Sequence, residues 1–334
     1  MIDLHLHLDG SLSPELVRKL AYMQDIRLPD AFPQTLLAPR ACGSLEEYLR
    51  RFVLPLSVMQ SEESIALSVE DLLSRLGKMG LLYTEIRFAP QLHTSRGLSQ
   101  TQVVQAALSG LHRAEWRGPV RPQLILCLMR GADNAKQNLE TIRIAGRYLG
   151  QGVAAVDLAG AEAAYPTAEF ENIFALVKEA EIPFTIHAGE ALGADSVAAA
   201  VQFGASRIGH GLRAVSEPKL LAEIREKNLL LELCPTSNLQ TGAAATAAAY
   251  PLRRLLDAGV RVCLNADNMT VSDTDVWREY AFAYAELGLS AQECATLLCN
   301  AAEGAFLPRA ERKNLLEAVH RCVRGGALDR RGIR

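Results

Sequence analysis

Eight short runs of apolar, often β-branched residues recur along the chain, and longer segments with helical spacing of their apolar residues separate them. The runs cover residues 2–8, 82–88, 123–129, 154–158, 183–187, 207–209, 229–233 and 261–264. Alternation of strands and helices indicates parallel strands. Eight such units in 334 residues favour a (β/α)8 barrel over an open doubly wound sheet. We therefore predict an α/β fold, a (β/α)8 TIM barrel, in a single domain of residues 1–334.

One connection is much longer than the others, since about 70 residues separate the first two strands, where a βα loop usually has a few. Helical patterns fall at residues 13–21, 44–54 and 61–78 of this connection. Because it follows a strand, it should lie over the C-terminal mouth of the barrel. We predict a helical lid insertion at residues 11–80, and extra C-terminal helices after Asp275.

Charge and cysteine content narrow the class of partner. The 35 basic and 38 acidic side chains give a formal net charge of −3, which argues against nucleic acid or an anionic membrane as a partner. Seven scattered cysteines and an N-terminus without a signal-peptide pattern predict a cytoplasmic protein with reduced thiols. A small-molecule ligand is expected, and the oligomeric state is left open.

Four of the seven histidines fall on or at the ends of predicted strands. His5 and His7 share one face of the first strand, because side chains alternate along a strand. His187 and His210 end the fifth and sixth runs, and Asp267 follows the eighth. Strand ends meet at the barrel mouth, where three imidazoles and a carboxylate would suit a catalytic Zn²⁺ ion. No run offers a lysine to bridge two metals, so we predict one metal ion per chain. The other histidines are predicted as surface or helix-face residues, namely His93, His112 and His320.

Six short sequence motifs follow one another along the chain. They are residues 4–11 (LHLHLDGS), 85–90 (EIRFAP), 157–160 (DLAG), 187–190 (HAGE), 207–211 (RIGHG) and 234–238 (CPTSN). The ordered set resembles the adenosine deaminase family, from residue 4 to about residue 275. The resemblance implies zinc-dependent hydrolytic deamination of a purine nucleoside in purine salvage. Adenosine and 2′-deoxyadenosine would yield inosine and 2′-deoxyinosine plus ammonia.

The resemblance also implies a role for each matching residue. The zinc ligands would be His5, His7, His187 and Asp267. Glu190 would protonate purine N1, which requires a raised pKa such as a closed apolar pocket supplies. His210 would act as a base and as the electrostatic partner of the attacking hydroxide. The Gly160 backbone N–H would meet purine N3, and Asp9 a ribose hydroxyl. A helical stripe would face the sugar, made of Leu45, Tyr48, Leu49 and Phe52.

One position departs from the family pattern, because Asn268 stands where most members carry a second Asp facing purine N7. An Asn amide can donate to N7 directly, whereas a carboxylate must first be protonated. The substrate could therefore instead be adenine or a modified nucleoside such as aminofutalosine. AMP is less favoured, since only Arg50, Arg51 and Arg87 offer positive charge for a phosphate. Two functions of a different class stay open as alternatives: a metal-dependent ester or amide hydrolase, and a barrel without catalytic activity.

The segment after Asn268 contains a possible helix start. Ser272 and Asp275 have capping-box spacing ahead of an amphipathic stretch. This pattern predicts a helix cap in preference to further metal ligands.

Overall fold

The computed structural model describes residues 1–329, 332 and 333, so the last residue of the predicted domain, Arg334, lies outside it. Eight strands occur among the described residues. They are β1 Ile2–His7, β2 Tyr83–Phe88, β3 Gln123–Met129, β4 Val153–Ala159, β5 Thr185–Ala188, β6 Arg207–His210, β7 Leu230–Leu233 and β8 Arg261–Leu264. Each predicted run is confirmed, with ends that differ by at most two residues.

The strands pair in parallel and in chain order. β1 to β4 form one four-stranded sheet, and β5 to β8 form a second. A parallel bridge between Val156 and Phe184 joins the sheets on one side, and a bridge between Leu6 and Asp267 joins them on the other. Strand order therefore follows the ring of a (β/α)8 barrel. The two junctions are reduced to single bridges.

Helices alternate with the strands and cover the outside of the sheets. Over the described residues they are α1 Pro14–Met23, α2 Leu45–Leu49, α3 Val53–Val58, α4 Glu62–Lys78, α5 Gln100–Arg113, α6 Ala135–Tyr148, α7 Glu171–Glu179, α8 Ala194–Phe203, α9 Pro218–Glu226, α10 Pro235–Gln240, α11 Leu252–Asp257, α12 Val276–Glu286, α13 Ala291–Gly304 and α14 Arg309–Arg324. Local sequence sets several starts: Ser61 and Ser290 each form a capping box. The three C-terminal helices follow β8 as predicted.

The long connection after β1 contains two kinds of helix. α4 packs against α5, and its apolar side chains, including Val69 and Leu73, belong to the main core. The segment around α2 instead forms a separate small apolar cluster, in which Tyr48 and Phe52 pack with Val271. The limits 11–80 for a lid stay a prediction.

The helix predicted over residues 44–54 is divided. α2 ends at Leu49, a 3₁₀ turn covers Arg50–Phe52, and α3 begins at Val53. A 3₁₀ turn is tighter than an α-helical turn. This one places the Phe52 side chain in the same apolar cluster as Tyr48.

One further prediction was right only in part, and another was wrong. The predicted helix cap is present at the start of α12, but Asp275 and not Ser272 is the N-cap residue, and it accepts hydrogen bonds from the backbone N–H groups of Trp277 and Arg278. Ser272 is buried, and its hydroxyl lies 2.6 Å from that of Tyr48. His93 is also buried, with its Nδ1 2.9 Å from the Met59 carbonyl oxygen. Burial lowers the pKa of His93 to about 4.

No helix among the described residues has the length and apolar character needed to cross a lipid bilayer.

Candidate active site

Four side chains from three separate segments meet at the carboxyl ends of the strands. His5 and His7 lie on β1, His187 on β5, and Asp267 follows β8. One ligand atom from each lies within 4.8 Å of all the others. The Nε2 atoms of His7 and His187 are 3.2 Å apart, and Asp267 Oδ1 is 3.5 Å from Nε2 of both His5 and His7. The structure thus brings together the four residues predicted as metal ligands.

The chemistry of this group fits a divalent metal ion. Buried His5 Nε2 has no hydrogen-bond partner in the described part of the chain, and a buried polar atom of this kind costs free energy unless a ligand binds it. His5 Nδ1 lies 2.8 Å from Glu232 Oε2, and His187 Nδ1 lies 2.9 Å from Asp157 Oδ2. Carboxylates behind two imidazoles turn the opposite nitrogens toward the site, as around protein-bound metals. The four side chains could therefore hold a metal ion.

Asp267 reaches this position through an unusual backbone conformation. Its φ is +60°, which costs a non-glycine residue on the order of 1–3 kcal/mol. Its carbonyl oxygen accepts from His7 N at 2.7 Å, and its own N–H donates to His5 O at 2.9 Å. These two bonds hold the backbone against β1 and place the carboxylate beside both histidines.

Behind the histidines, the barrel interior holds an array of buried ion pairs. Arg87 places one guanidinium nitrogen 2.9 Å from Asp157 Oδ2 and the other 2.9 Å from Glu232 Oε2. Arg207 lies 2.6 Å from both Glu232 and Glu85. Burial alone would raise the pKa of Glu232, but Arg87 and Arg207 hold it well below its ordinary value. The Glu232 carboxylate, which orients His5, thus stays ionised.

The array gives a test of stability. We expect Arg87→Met to lower the free energy of unfolding by about 3–5 kcal/mol, because it leaves buried Asp157 and Glu232 without a shared partner. Urea unfolding monitored by circular dichroism measures this loss. The control is Arg113→Met, whose ion pair with Glu63 is about half exposed and should contribute about 1 kcal/mol or less. Equal losses in the two variants would contradict a structural role for the array.

The three arginines considered as ligands for a substrate phosphate already form ion pairs within the protein. Arg87 is fully buried in the array. Arg50 and Arg51 form ion pairs with the acidic side chains of their own segment, Glu46 and Glu47. This arrangement weakens the case for a 5′-phosphate on the substrate.

A cavity of about 260 Å³ is lined by three of the four candidate ligands, His7, His187 and Asp267. All predicted substrate contacts line it: Asp9, Leu45, Tyr48, Leu49, Phe52, Gly160 and Asn268. Eight further lining residues were not predicted: Leu56, Ala89, Leu92, Cys127, Met129, Arg130, Ala159 and Ala161. A mostly apolar wall with a few polar groups is typical of a small-molecule site.

Glu190 lies at this cavity with its carboxyl group buried. Burial, reinforced by the nearby negative charge of Asp267, raises the pKa of Glu190 to about 8. The Thr241 hydroxyl donates to Glu190 Oε1 at 3.1 Å, and His210 Nε2 lies 3.5 Å from Oε2. Glu190 can therefore hold a proton near neutral pH, as a general acid must.

His210 is fixed on the side away from the cavity. Asn238 Nδ2 lies 3.0 Å from His210 Nδ1, and the Tyr250 hydroxyl donates to Asn238 Oδ1 at 3.0 Å. Burial lowers the pKa of His210 to about 4. Asn238 and Thr241 were missed as partners of the two predicted catalytic groups, although Asn238 belongs to the CPTSN segment.

Close packing surrounds Asn268. A Cβ atom on Gly10 would lie 1.8 Å from Asn268 Oδ1, so only glycine fits beside it. Asn268 is buried, and its Oδ1 has no hydrogen-bond partner within the described residues. Gly160, across the cavity, has a φ of +106°, which also favours glycine.

Comparison with known proteins identifies the family. The family model described as "Adenosine deaminase" matches residues 1–322. The chain belongs to the adenosine deaminase family. Among its relatives, the adenosine deaminase of Haemophilus ducreyi is 47% identical over 327 residues, which cover 96% of this chain and 95% of that enzyme. That of Enterococcus faecalis is 41% identical over 322 residues, 95% of each chain.

The fold agrees with other solved deaminases. The crystal structure of an adenine deaminase from Arthrobacter aurescens superposes with a TM-score of 0.86 at 27% sequence identity, covering 97% of this chain and 98% of that one. The predicted family membership and the TIM-barrel fold class are therefore confirmed. The roles of individual residues stay predictions.

Proposed function

We propose that this deaminase-family protein hydrolyses adenosine and 2′-deoxyadenosine to inosine and 2′-deoxyinosine, releasing ammonia, in purine nucleoside salvage. The observation that carries the proposal is that buried Glu190, whose pKa is raised by burial, shares one cavity with the candidate metal ligands His7, His187 and Asp267. A cytoplasmic location is part of the proposal, and the seven free cysteine thiols support it.

One zinc ion per chain is proposed as the cofactor. His5, His7, His187 and Asp267 would hold it, because imidazole nitrogen and carboxylate oxygen ligands suit zinc. Zinc supplies Lewis-acid chemistry there and lowers the pKa of water toward neutrality.

Glu190 and His210 would move the protons. Glu190 donates its proton to purine N1, which draws electrons from C6 and makes that carbon electrophilic. Water adds to C6, with His210 as the base and electrostatic partner of the attacking oxygen. The amino group gains the proton that His210 took from the water and leaves as ammonia. The second proton of that water restores Glu190, and C6 keeps the oxygen as a carbonyl. Burial of both side chains keeps bulk water away from these transfers.

The remaining cavity residues would orient the substrate. The Gly160 N–H would meet N3, the Asn268 amide would meet N7, and Asp9 would bind a ribose hydroxyl. The sugar would pack against Leu45, Tyr48, Leu49 and Phe52. Since these apolar residues come from the long connection after β1, the proposal includes a lid formed by residues 11–80 within a single domain.

A panel of substrates tests the proposal. Ammonia release would be measured with adenosine, 2′-deoxyadenosine, adenine, AMP and aminofutalosine. We expect the two nucleosides to give the highest kcat/KM, since the cavity offers contacts for a sugar and Arg50 and Arg51 are paired with acidic side chains. Arg130, which lines the cavity, donates hydrogen bonds to the backbone carbonyl oxygens of Tyr165 and His187. If no compound released ammonia, the proposed reaction would be refuted. A preference for adenine or aminofutalosine would refute only the proposed substrate.

Asn268→Asp tests the proposed contact with N7. We expect about a tenfold loss in kcat/KM for adenosine at pH 8, because an ionised carboxylate repels the N7 lone pair and a lost hydrogen bond costs about 1.5 kcal/mol. The loss should shrink as the pH falls and the carboxyl group is protonated. Asp273→Asn is the control, because Asp273 is exposed and does not line the cavity. Kinetics identical to wild type at every pH would show that residue 268 does not contact the purine.

A further inference from the structure

Glu162 occupies an unusual place in the loop after β4, two residues beyond Gly160. Its buried carboxylate accepts hydrogen bonds from four consecutive backbone N–H groups, those of residues 189–192, at 2.6, 3.1, 2.6 and 3.1 Å. The Ser196 hydroxyl donates to it as well. No role for Glu162 was predicted from the sequence. Among the described residues, Glu162 belongs neither to the four candidate metal ligands nor to the lining of the cavity.

Successive N–H groups that point to one place form a nest, which binds anions. Here the anion is a side chain of the same protein. Burial alone would raise the pKa of Glu162, but the Ser196 hydroxyl and the backbone N–H groups lower it below its ordinary value. The carboxylate therefore stays charged, and it fixes the conformation of the segment that contains Glu190.

The contact also joins the two loops that face one edge of the purine. Gly160 follows β4 and is proposed to meet N3, while Glu190 follows β5 and is proposed to protonate N1. N1 and N3 belong to the same six-membered ring, so both groups must reach it at a fixed separation. Glu162 is the side chain that bonds the first loop to the backbone of the second.

The contact has an electrostatic consequence too. Four N–H dipoles lie next to Glu190, and without a carboxylate on them they would favour its ionised form. Thr241 and His210 contact the Glu190 carboxyl group, and Asp267 and His187 face it from among the four candidate metal ligands. Of these surroundings, Glu162 and Asp267 are the negative ones, and both favour a protonated Glu190.

We propose that Glu162 is a positioning residue for deamination, which fills the nest of residues 189–192 and so holds the segment of Glu190 in place relative to Gly160. The inference rests on the proposed function, because it assigns no chemistry to Glu162 itself. Its effect passes entirely through Glu190.

Glu162→Gln tests the proposal in the metal-loaded enzyme. An amide nitrogen facing the nest replaces an acceptor with a donor. We expect kcat for adenosine to fall about 100-fold, as when one charge-assisted contact in an active site is lost. KM and metal content should change little. The alkaline limb of the kcat profile should move to lower pH, since Glu190 then ionises more easily. Glu169→Gln is the matched control, because Glu169 lies on the same connection and is exposed.

A double-mutant cycle separates positioning from general stability. In a Glu190→Gln background, Glu162→Gln should cause no further loss of kcat, because the group through which it acts is already gone. If the two losses multiply, or if Glu162→Gln keeps the wild-type kcat and pH profile, the inference is overturned. Wild-type enzyme that releases no ammonia would instead refute the proposed function, so the two failures are distinguishable.

A second variant covers the case in which Glu162→Gln does not fold. Ser196→Ala removes one of the five donors and should shift the alkaline limb in the same direction with a smaller loss of kcat. Hydrogen exchange measured by mass spectrometry adds a readout independent of turnover. The amides of residues 189–192 should be protected in wild type and exchange faster in Ser196→Ala. Unchanged exchange together with an unchanged pH profile would contradict the proposal.

Discussion

Replacing Glu190 by Gln is expected to lower kcat for adenosine by about 10³-fold, because general acid catalysis contributes about 10²–10⁴-fold. The amide has the size of the carboxyl group but cannot deliver a proton to N1. Metal content should remain one ion per chain, since Glu190 is not in the ligand group. Initial rates of ammonia release and metal analysis of the same sample measure both quantities.

The pH dependence of kcat/KM provides a second test of the role of Glu190. Burial raises the pKa of Glu190, and the protonated form is the acid, so kcat/KM of the wild type should decline on the alkaline side as that proton is lost. The residual activity of Glu190→Gln should lack this decline. Glu226→Gln, an exposed change on α9, should behave as wild type in both respects. Loss of metal in parallel with activity would contradict the role assigned to Glu190.

Replacing His7 by Ala is expected to remove both the metal and the activity. His7 offers one of the four ligand atoms, and its Nε2 lies 3.2 Å from that of His187. Removing a catalytic metal forfeits its acidification of water, so we expect kcat to fall about 10³-fold or more. Metal analysis should find well under one zinc ion per chain. His320→Ala, on the exposed side of α14, is the control.

Chelation of the wild type provides a reversible form of this experiment. Apoenzyme should be inactive and recover fully on addition of one equivalent of zinc. It should also unfold at a lower temperature than the loaded enzyme, because a metal that binds only the folded state stabilises it. Full activity in metal-free wild type, or a His7→Ala variant that retains zinc and turnover, would refute the assigned metal group.

The positions of the site residues and their roles were predicted on different grounds. His5 and His7 share a strand face because of period-two alternation, and His187, His210 and Asp267 fall at strand ends, which a parallel barrel gathers at one mouth. These positions follow from local pattern. Family resemblance added roles, and those roles await the experiments above.

The partners of these groups were not predictable in the same way. Asn238 and Thr241 contact His210 and Glu190 across 28 and 51 residues of sequence. Glu162 reaches the segment of Glu190 across a similar separation. A buried polar group must find a partner, but local sequence does not say which one. The charged residues within the strand runs, such as Arg207 and Glu232, were the one available signal of the buried array.

His93 and Ser272 illustrate the errors. Polar residues in connecting segments are usually exposed. His93 was therefore predicted at the surface, and Ser272 as a helix cap. Each is buried because a distant segment covers it: the Met59 carbonyl oxygen meets His93, and Tyr48 meets Ser272.

The sequence alone determined the barrel, the order of its strands, the family and the groups at the strand ends, because periodicity and ordered motifs are properties of short segments. Only the tertiary structure decided which carboxylates orient the histidines, which groups hold His210 and Glu190, and that Glu162 fills the nest beside the proposed acid. These depend on distances between residues far apart in the chain. Packing sets such distances, and small shifts in it decide whether a buried charge is paired.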